Sequence, residues 1–318
     1  MFVKFLLCVL VTKLAKGCLY DTFHNTTVTL AGVRGPFDTI DGCFGPENNL
    51  ERVSRIQILN ETVPILYEEA FHDLDYLLDV VLEGDGVREI RSGAFKNLPK
   101  LYLIRLKRNQ IREIRGGVFN NLSLSELSLV SNQIERIETT AFDHLPNLNI
   151  VLLSDNKLTK WDPNWFLGSP QIAMLNFESN LIERLPTRAF RNVRGVHVVN
   201  NRNVSTTIHL NDNKIRTIDD EAFDGLVSLG WLFLQRNEID VFNQKSLGSL
   251  RQLDWLRLDH NRLQCIPERL VVVAPNVKYY LEGNPLTEEC IAKFDIKTKS
   301  NGSRINKVNF TIDSSFFG

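Results

Sequence analysis

The cysteines are the residues of this chain whose type and spacing most readily predict covalent chemistry. Cys18 and Cys43 lie near the start of the 318-residue sequence, Cys265 and Cys290 lie near its end, and Cys8 lies in an apolar run at the very beginning. If Cys8 is removed with the first residues of the chain, four cysteines remain. An even number of cysteines in an oxidising compartment favours disulfides, and four cysteines allow three pairings. A metal site is disfavoured because the sequence has no Cys-x-x-Cys and its six histidines are scattered.

The sequence contains no motif that predicts catalysis. We find no G-x-S-x-G, no H-E-x-x-H and no glycine-rich phosphate-binding loop. The net charge of −1, without a nucleic-acid-reading motif, also argues against a nucleic-acid partner. We therefore predict that the protein is not an enzyme and has no catalytic residues, no cofactor and no metal ion.

Aromatic and cationic residues in the second half of the chain have the composition of a binding surface. Exposed Trp and Tyr beside Arg are typical of the residues that dominate the binding energy of interfaces. The candidate binding residues are Trp231, Phe233, Trp255, Arg257, Tyr280, His209 and Arg236. The alternative is that a cap, an inserted loop or a glycan covers these rings, which would make them an extension of the core. They can form one surface only if a regular element places them side by side.

A repeat of about 24 residues supplies that element. The pattern apolar-x-apolar-x-x-Asn-x-apolar occurs ten times between Ile56 and Leu286. Its Asn position holds Glu61, Asp85, Asn109, Asn132, Asn156, Asn180, Asn213, Asn237, Asn261 and Asn284. Successive positions are 23 or 24 residues apart, except for one step of 33 between Asn180 and Asn213. The alternating apolar residues predict one strand in each repeat, and stacked repeats predict a parallel sheet.

The same repeat predicts how the stack is held together. An Asn side chain both donates and accepts hydrogen bonds, so it can pair with backbone groups of adjacent turns. Glu61 and Asp85 lack the amide donor, and we expect the first two turns to be held differently. The second half of each repeat predicts an aromatic spine of Phe71, Phe95, Phe119, Phe142, Phe166, Phe190 and Phe223, with Leu247 at the eighth place. Trp161 and Trp165 are expected in the core.

The pattern L-x-x-L-x-L-x-x-N-x-L followed by x-A-F-x-x-L resembles the extracellular class of animal leucine-rich repeats over roughly residues 50–290. In repeat style the chain is similar to Toll-type ectodomains and to the non-catalytic subunit of a decapod shrimp luciferase. The resemblance implies an α/β solenoid, a horseshoe with a parallel, concave β-sheet of about ten turns. It also implies a disulfide cap at each end and partner binding on the concave face.

The predicted stack restricts the cysteine pairing. Neighbouring strands lie ~4.8 Å apart, so ten turns separate the two groups of cysteines by roughly 45 Å, whereas a disulfide requires Cα atoms within ~7 Å. Only Cys18–Cys43 and Cys265–Cys290 are therefore feasible. Each bridge lies where an end repeat would otherwise expose its core.

The beginning of the chain predicts export. Met1-Phe2-Val3-Lys4, a short apolar run and Ala15-Lys16-Gly17 have the order of a signal peptide with its cleavage site. The apolar run is shorter than the ~20 residues of a membrane-spanning helix, so we expect no membrane span. The glycosylation triplets begin at Asn25, Asn60, Asn121, Asn203, Asn301 and Asn309. We therefore predict a secreted, extracellular glycoprotein.

The predicted organisation is a signal peptide (1–17), an N-terminal cap (18–49), leucine-rich repeats (50–260) with an insertion at 194–204, last repeats and C-terminal cap (261–292), and a polar tail (293–318). The predicted function is recognition of an extracellular protein or glycan through the concave face. The alternative is a non-catalytic subunit that stabilises a secreted enzyme complex. The identity of the partner and the oligomeric state stay open.

Overall fold

The computed structural model describes residues 18–32, 39–169, 171–195, 205–226, 228–247, 250, 253–267 and 277–293. The predicted signal peptide (1–17), residues 196–204 of the predicted insertion and the tail from residue 294 onward lie outside the described residues. The chain divides into two compact units. Unit one consists of Met1–Leu158 and Asn164–Ile172, and unit two of Thr159–Pro163 and Ala173–Gly318.

Unit one contains fourteen described strands. In chain order they are β1 (Phe23–Thr27), β2 (Thr29–Ala31), β3 (Thr39–Gly42), β4 (Arg55–Leu59), β5 (Ile65–Leu66), β6 (Phe71–His72), β7 (Asp79–Glu83), β8 (Glu89–Ile90), β9 (Phe95–Lys96), β10 (Leu103–Arg105), β11 (Glu113–Ile114), β12 (Glu126–Ser128), β13 (Arg136–Ile137) and β14 (Ile150–Leu152). A short 3₁₀ helix at Pro46–Asn48 follows β3. Strands β1 and β3 form a separate antiparallel pair, and the antiparallel pairing of β2 with β4 covers the edge of the long sheet.

The long sheet of unit one has the strand order β2-β4-β7-β10-β12-β14, and each pair after β2–β4 is parallel. Its register follows the repeat, since Ile104 lies opposite Val80 on one side and Leu127 on the other. These three side chains are fully buried. The return segments form three smaller parallel pairs, β5–β8, β6–β9 and β11–β13.

Unit two has the same plan. Its strands are β15 (Met174–Asn176), β16 (Arg184–Leu185), β17 (Thr206–His209), β18 (Thr217–Ile218), β19 (Leu229–Phe233), β20 (Trp255–Arg257) and β21 (Lys278–Tyr280). The long sheet has the parallel order β15-β17-β19-β20-β21, and β16 pairs with β18 in the return segments. The predicted parallel-sheet solenoid of leucine-rich repeat type is confirmed.

The described chain contains little α-helix, although an α/β solenoid was predicted, and the return segments between the long-sheet strands show why. They consist of turns, two-residue strands and a 3₁₀ helix at Gln244–Leu247, and residues 288–293 are the α-helical part of the described chain. In a repeat of about 24 residues, the strand and the turns on either side of it take up most of the length. The few residues left are too short for a stable helix, whose first turn is costly to nucleate.

A buried ladder of asparagine side chains joins successive repeats. Asn156 is representative: its Nδ2 donates to the carbonyls of Leu129 (3.0 Å) and Leu153 (3.1 Å). Its Oδ1 accepts the N–H of Ile134 at 3.0 Å. Equivalent side-chain bonds occur at Asn109, Asn132, Asn213, Asn237, Asn261 and Asn284. Each Asn therefore satisfies buried backbone groups of two repeats.

The predicted aromatic spine is present as stacked phenylalanine pairs. The rings of Phe71 and Phe95 are 5.3 Å apart, and those of Phe190 and Phe223 are 5.4 Å apart, with nearly parallel planes in both cases. In the N-terminal cap Phe44 extends the stack at 5.2 Å from Phe71. Leu247, Trp161 and Trp165 are also buried, as predicted. The spine fills the side of each unit opposite its long sheet, so it stabilises the stack without forming a site.

Both predicted disulfides are present. The Cα atoms of Cys18 and Cys43 are 5.6 Å apart, and those of Cys265 and Cys290 are 5.5 Å apart. Each bridge closes a loop of 25 residues within one unit. A loop of this length stabilises the folded state by ~3 kcal/mol in the chain-entropy account.

Candidate functional site

Two neighbouring strands of unit two carry most of the predicted binding residues on their solvent side. In β19 and β20, Leu232 and Leu256 are fully buried, and Trp231 lies opposite Trp255 in parallel register. Successive side chains of a strand point to opposite faces, so the residues flanking the two leucines face outward. The register aligns Thr207, Trp231, Trp255 and Lys278 in one line across the sheet, and His209, Phe233, Arg257 and Tyr280 in the next.

We name Trp231, Trp255 and Tyr280 the aromatic row. The ring centroids of Trp231 and Trp255 are 5.4 Å apart with planes inclined by 26°, and those of Trp255 and Tyr280 are 5.7 Å apart with planes inclined by 33°. The Trp231 and Trp255 rings are therefore stacked, whereas the Tyr280 ring is tilted against Trp255. Trp231 is 44% exposed and Tyr280 is 37% exposed, so the row forms an uncovered apolar patch.

His209 joins the same surface as a neutral ring. It stacks on Phe233 with centroids 4.4 Å apart and planes inclined by 11°. Burial lowers the pKa of His209 to about 4, because desolvation disfavours the charged imidazole. The ring is therefore uncharged at pH 7 and adds apolar surface. Phe233 in turn meets Trp231 edge to face at 6.3 Å, which connects this pair to the aromatic row.

Two cations lie over rings of the aromatic row. Arg257 is 5.4 Å from the ring centre of Tyr280, and the Nζ of Lys278 is 5.0 Å from that of Trp255. Arg257 is held in place by buried Asp259, since its Nε donates to Oδ1 at 3.0 Å and its Nη2 donates to Oδ2 at 2.9 Å. Cations over ring faces are attracted by the ring quadrupole. Lys278 thus brings a positive charge to the aromatic row, whereas the charge of Arg257 is paired with Asp259.

Arg236 and His260 lie in the turns that follow β19 and β20. Arg236 extends toward the preceding repeat, where its Nη1 is 3.6 Å from Asp212 Oδ1. The Nδ1 of His260 is 3.3 Å from Asp259 Oδ2. Asp259 is thus shared by His260 and Arg257, whereas His209 stacks on a phenylalanine. These histidines therefore belong to separate parts of the surface and form no acid–base pair.

The predicted binding set omits Lys278, and the sequence places Asp259 near these residues without indicating that it is buried. The repeat period could have identified Lys278, because it lies opposite Trp255 in the register. Asp259 follows Arg257 by two residues on the same strand edge, which makes it a natural ion-pair partner. Asp259 is buried, and its burial holds the Arg257 guanidinium in place. This burial depends on the packing of neighbouring repeats, which the sequence does not indicate.

The sheet face of unit one has a different character. Its outward residues form ion pairs, such as Arg55 with Asp79 at 2.6 Å and Arg105 with Glu126 at 3.1 Å. Tyr76 and Tyr102 are 54% and 53% exposed, but they precede β7 and β10 and stand outside the line of ion pairs. Exposed ion pairs contribute only ~0–1 kcal/mol each and leave a solvated polar surface. Unit one thus also exposes apolar side chains, and the feature that distinguishes unit two is the contact between the rings of the aromatic row.

One group of side chains in the described part of the chain is compact enough to hold a metal ion, and it consists of Cys18, Cys43 and Glu47. The two sulfur atoms are bonded to each other. The thiolate is the form of cysteine that binds metals, and a disulfide has none. The closeness of these groups is therefore explained by the disulfide.

The predicted glycosylation positions Asn25, Asn60 and Asn121 are exposed, and all three have positive φ, as turn residues do. A glycan requires such an accessible surface position. Asn203, Asn301 and Asn309 lie outside the described residues. Among the residues that the structure describes, no helix combines the length and the apolar character needed to cross a membrane.

A match to a protein-family model and similarity to curated proteins indicate the family of this chain. The family model described as Leucine rich repeat matches residues 75–134, 123–182, 146–197 and 206–263. The chain is 32% identical to Toll-like receptor 3 of Bos taurus over 117 residues, which cover 36% of this chain and 13% of the receptor. It is 28% identical to lumican of Rattus norvegicus over 179 residues, which cover 55% of this chain and 46% of lumican. The chain thus spans less than half the length of these curated relatives.

A solved structure shows the same fold. A chain of the Toll–Spatzle complex of Drosophila superposes with a TM-score of 0.65 at 20% identity, covering 76% of this chain and 32% of that chain. Identity at this level supports the architecture alone. The binding properties of a leucine-rich repeat solenoid have to be argued from its own surface.

Proposed function

Since the chain belongs to the leucine-rich repeat family, we propose that it is a secreted, non-enzymatic recognition protein that binds an extracellular protein through the aromatic row of unit two. The observation that carries the proposal is the partly exposed cluster of Trp231, Trp255 and Tyr280 on the solvent side of the sheet. Exposed aromatic clusters beside arginine are the usual centre of protein interfaces. The sheet of such a repeat stack is also the usual binding surface.

The orientation of the rings favours a protein partner over a glycan. A sugar ring binds an aromatic side chain by lying flat on its face. In the aromatic row, Trp231 stacks on Trp255, Tyr280 is tilted against Trp255, and the Lys278 ammonium lies over the Trp255 ring. A sugar would have to displace these groups, whereas the apolar side chains of a protein can pack against the exposed ring edges. Lys278 adds a positive charge that suits carbonyl or carboxylate groups of such a partner.

The relatives support the same class of function. The similar solved structure contains Toll bound to Spatzle, and Toll-like receptor 3 and lumican share the repeat. Secretion is supported by the two disulfides and the exposed glycosylation positions, because disulfides persist in oxidising, extracellular compartments.

The test is capture of a partner from native extracellular fluid on immobilised chain. Wild type is compared with the double variant Trp231→Ala/Trp255→Ala and with the control Tyr76→Ala/Tyr102→Ala, which removes two exposed rings of unit one. We expect a partner that binds wild type and the control but not the double variant. Equal recovery on all three proteins would exclude the aromatic row as the binding surface.

Treating the extracellular fluid before capture tests whether the partner is a protein or a glycan. Protease digestion should abolish capture, whereas enzymatic removal of glycans should leave it intact. The opposite pattern would show that a glycan is the ligand. Recovery of a catalytic chain in a fixed ratio would instead favour the role of a non-catalytic subunit in a secreted enzyme complex.

A further inference from the structure

Asp85 occupies a ladder position that holds asparagine in the repeats that follow. Asn109, in the next repeat, shows what this position requires. Its Oδ1 accepts the N–H groups of Asp85 at 3.0 Å and Val87 at 3.1 Å. Its Nδ2 donates to the carbonyls of Leu82 at 3.1 Å and Lys107 at 3.0 Å. The position thus needs an acceptor on one side and a donor on the other.

Asp85 meets only half of this requirement. Its side chain is fully buried, and its Oδ1 accepts the N–H of Glu61 at 2.8 Å. Its Oδ2 is buried without a hydrogen-bond partner. By the register of the ladder, Oδ2 takes the place of the amide nitrogen that donates to carbonyls in Asn109. An ionised carboxylate has no proton to donate there, whereas the neutral acid has an O–H.

The charged groups around Asp85 also favour its neutral form. Glu61 precedes it in the ladder and Glu83 lies on the same strand edge, so two carboxylates flank it. The nearby cations of the next repeat are Lys107 and Arg108, and Arg108 donates to Glu83. Burial raises the pKa of Asp85 to about 6, and the two carboxylates act in the same direction, whereas the backbone N–H groups of Glu61 and Glu83 lower this pKa.

We propose that Asp85 is a proton-binding site that makes the junction between the first two repeats more stable in mildly acidic than in neutral solution. When protonated, its O–H supplies the donor that asparagine supplies elsewhere in the ladder. When ionised, it leaves a buried charge whose Oδ2 has no hydrogen-bond donor. The junction therefore opens more readily at neutral pH, and the surrounding segment, Arg55 to Gly86, becomes the part of unit one that responds to pH.

The sign follows from proton linkage. The folded chain binds a proton at Asp85 more tightly than the unfolded chain, whose pKa for this group is the ordinary 3.8. The stabilisation is complete below the unfolded value and is lost as the pH rises through about 6. These two values predict that the equilibrium constant for opening the junction rises about tenfold between pH 5 and pH 7.5.

The experiment is hydrogen exchange of the full chain, followed by mass spectrometry on peptides covering residues 55–66 and corrected for intrinsic exchange rates. Wild type is compared with Asp85→Asn, which restores the amide donor, and with Glu83→Gln, which removes a neighbouring carboxylate but keeps Asp85. We expect about tenfold more opening at pH 7.5 than at pH 5 in wild type. Glu83→Gln should show a smaller ratio in the same direction, because the Glu83 carboxylate contributes to the raised pKa of Asp85. Asp85→Asn should be equally protected at both pH values.

A gain of pH dependence provides the complementary test. Asn109→Asp places the same acid one repeat later, at a position whose amide bonds are visible in the structure. Peptides around Asp85 and Val87 in this variant should then also open more at neutral pH. The proposal is overturned if wild type shows no pH dependence of opening, or if Asp85→Asn retains it. Hydrogen exchange of Asn109→Asp still tests the proposal if Asp85→Asn folds poorly.

Discussion

The side chain of Asn213 donates to the backbone carbonyl of Phe177 at 2.9 Å, although 36 residues separate them. In the regular repeats the equivalent bond spans about 27 residues, as between Asn156 and Leu129. The Oδ1 of Asn213 also accepts the N–H of Ile182 at 3.0 Å. The longer step of the sequence therefore leaves the ladder intact, because the extra residues enter between two strands that keep their register.

Replacing Asn213 with Ala should destabilise the protein by ~1–3 kcal/mol, because it leaves the Ile182 N–H buried without its partner and removes one of the two amide donors to the Phe177 carbonyl. Denaturant unfolding measures the change. The matched control is Asn149→Ala, which removes an exposed bond to Gln171 and should change stability by less than ~0.5 kcal/mol. Equal effects of the two variants would contradict the assignment of the ladder as a stabilising element.

The aromatic spine should be sensitive to cavities. Phe223→Ala removes a fully buried ring that stacks on Phe190, and it should destabilise the protein by ~3–5 kcal/mol. Phe223→Leu keeps most of the volume and should have a much smaller effect. Thermal unfolding of the two variants tests this order. A similar loss in both would indicate that ring stacking, and not the filling of space, determines stability at this position.

Loss of the C-terminal bridge should weaken the end of unit two. The double variant Cys265→Ala/Cys290→Ala removes a 25-residue closed loop and should reduce the free energy of unfolding by ~3 kcal/mol. Limited proteolysis should then cleave first between these two positions. If cleavage instead begins in unit one, the bridge does not act as a cap for the last repeats.

His209 should reduce stability in acid. Its folded pKa of about 4 lies below the ordinary 6.5, so the folded protein favours the neutral ring. The resulting stabilisation is present above pH 6.5 and is lost as the pH falls toward 4. Denaturant unfolding between pH 7 and pH 4 of Asp85→Asn with and without His209→Gln isolates this effect, because Asp85 contributes the opposite slope. A pH profile unchanged by His209→Gln would refute the prediction.

The repeat period predicts which candidate site residues align on one face, but it does not predict their side-chain contacts. Because Trp231 and Trp255 occupy the same place in successive repeats, their alignment on one face follows from the spacing alone. The period does not reveal that the two rings stack on each other, since side-chain rotamers depend on contacts between repeats. Nor does it reveal that Lys278 lies over Trp255 or that buried Asp259 fixes Arg257.

The amino-acid sequence by itself determined the solenoid, the strand register and the disulfide pairing, because a fixed period dictates which residues stack and which cysteines can meet. The tertiary structure alone decided the properties that depend on burial and on neighbours distant in sequence. The raised pKa of Asp85 and the lowered pKa of His209 are of this kind, since both arise from desolvation. Desolvation is set by packing between repeats, which local sequence does not specify.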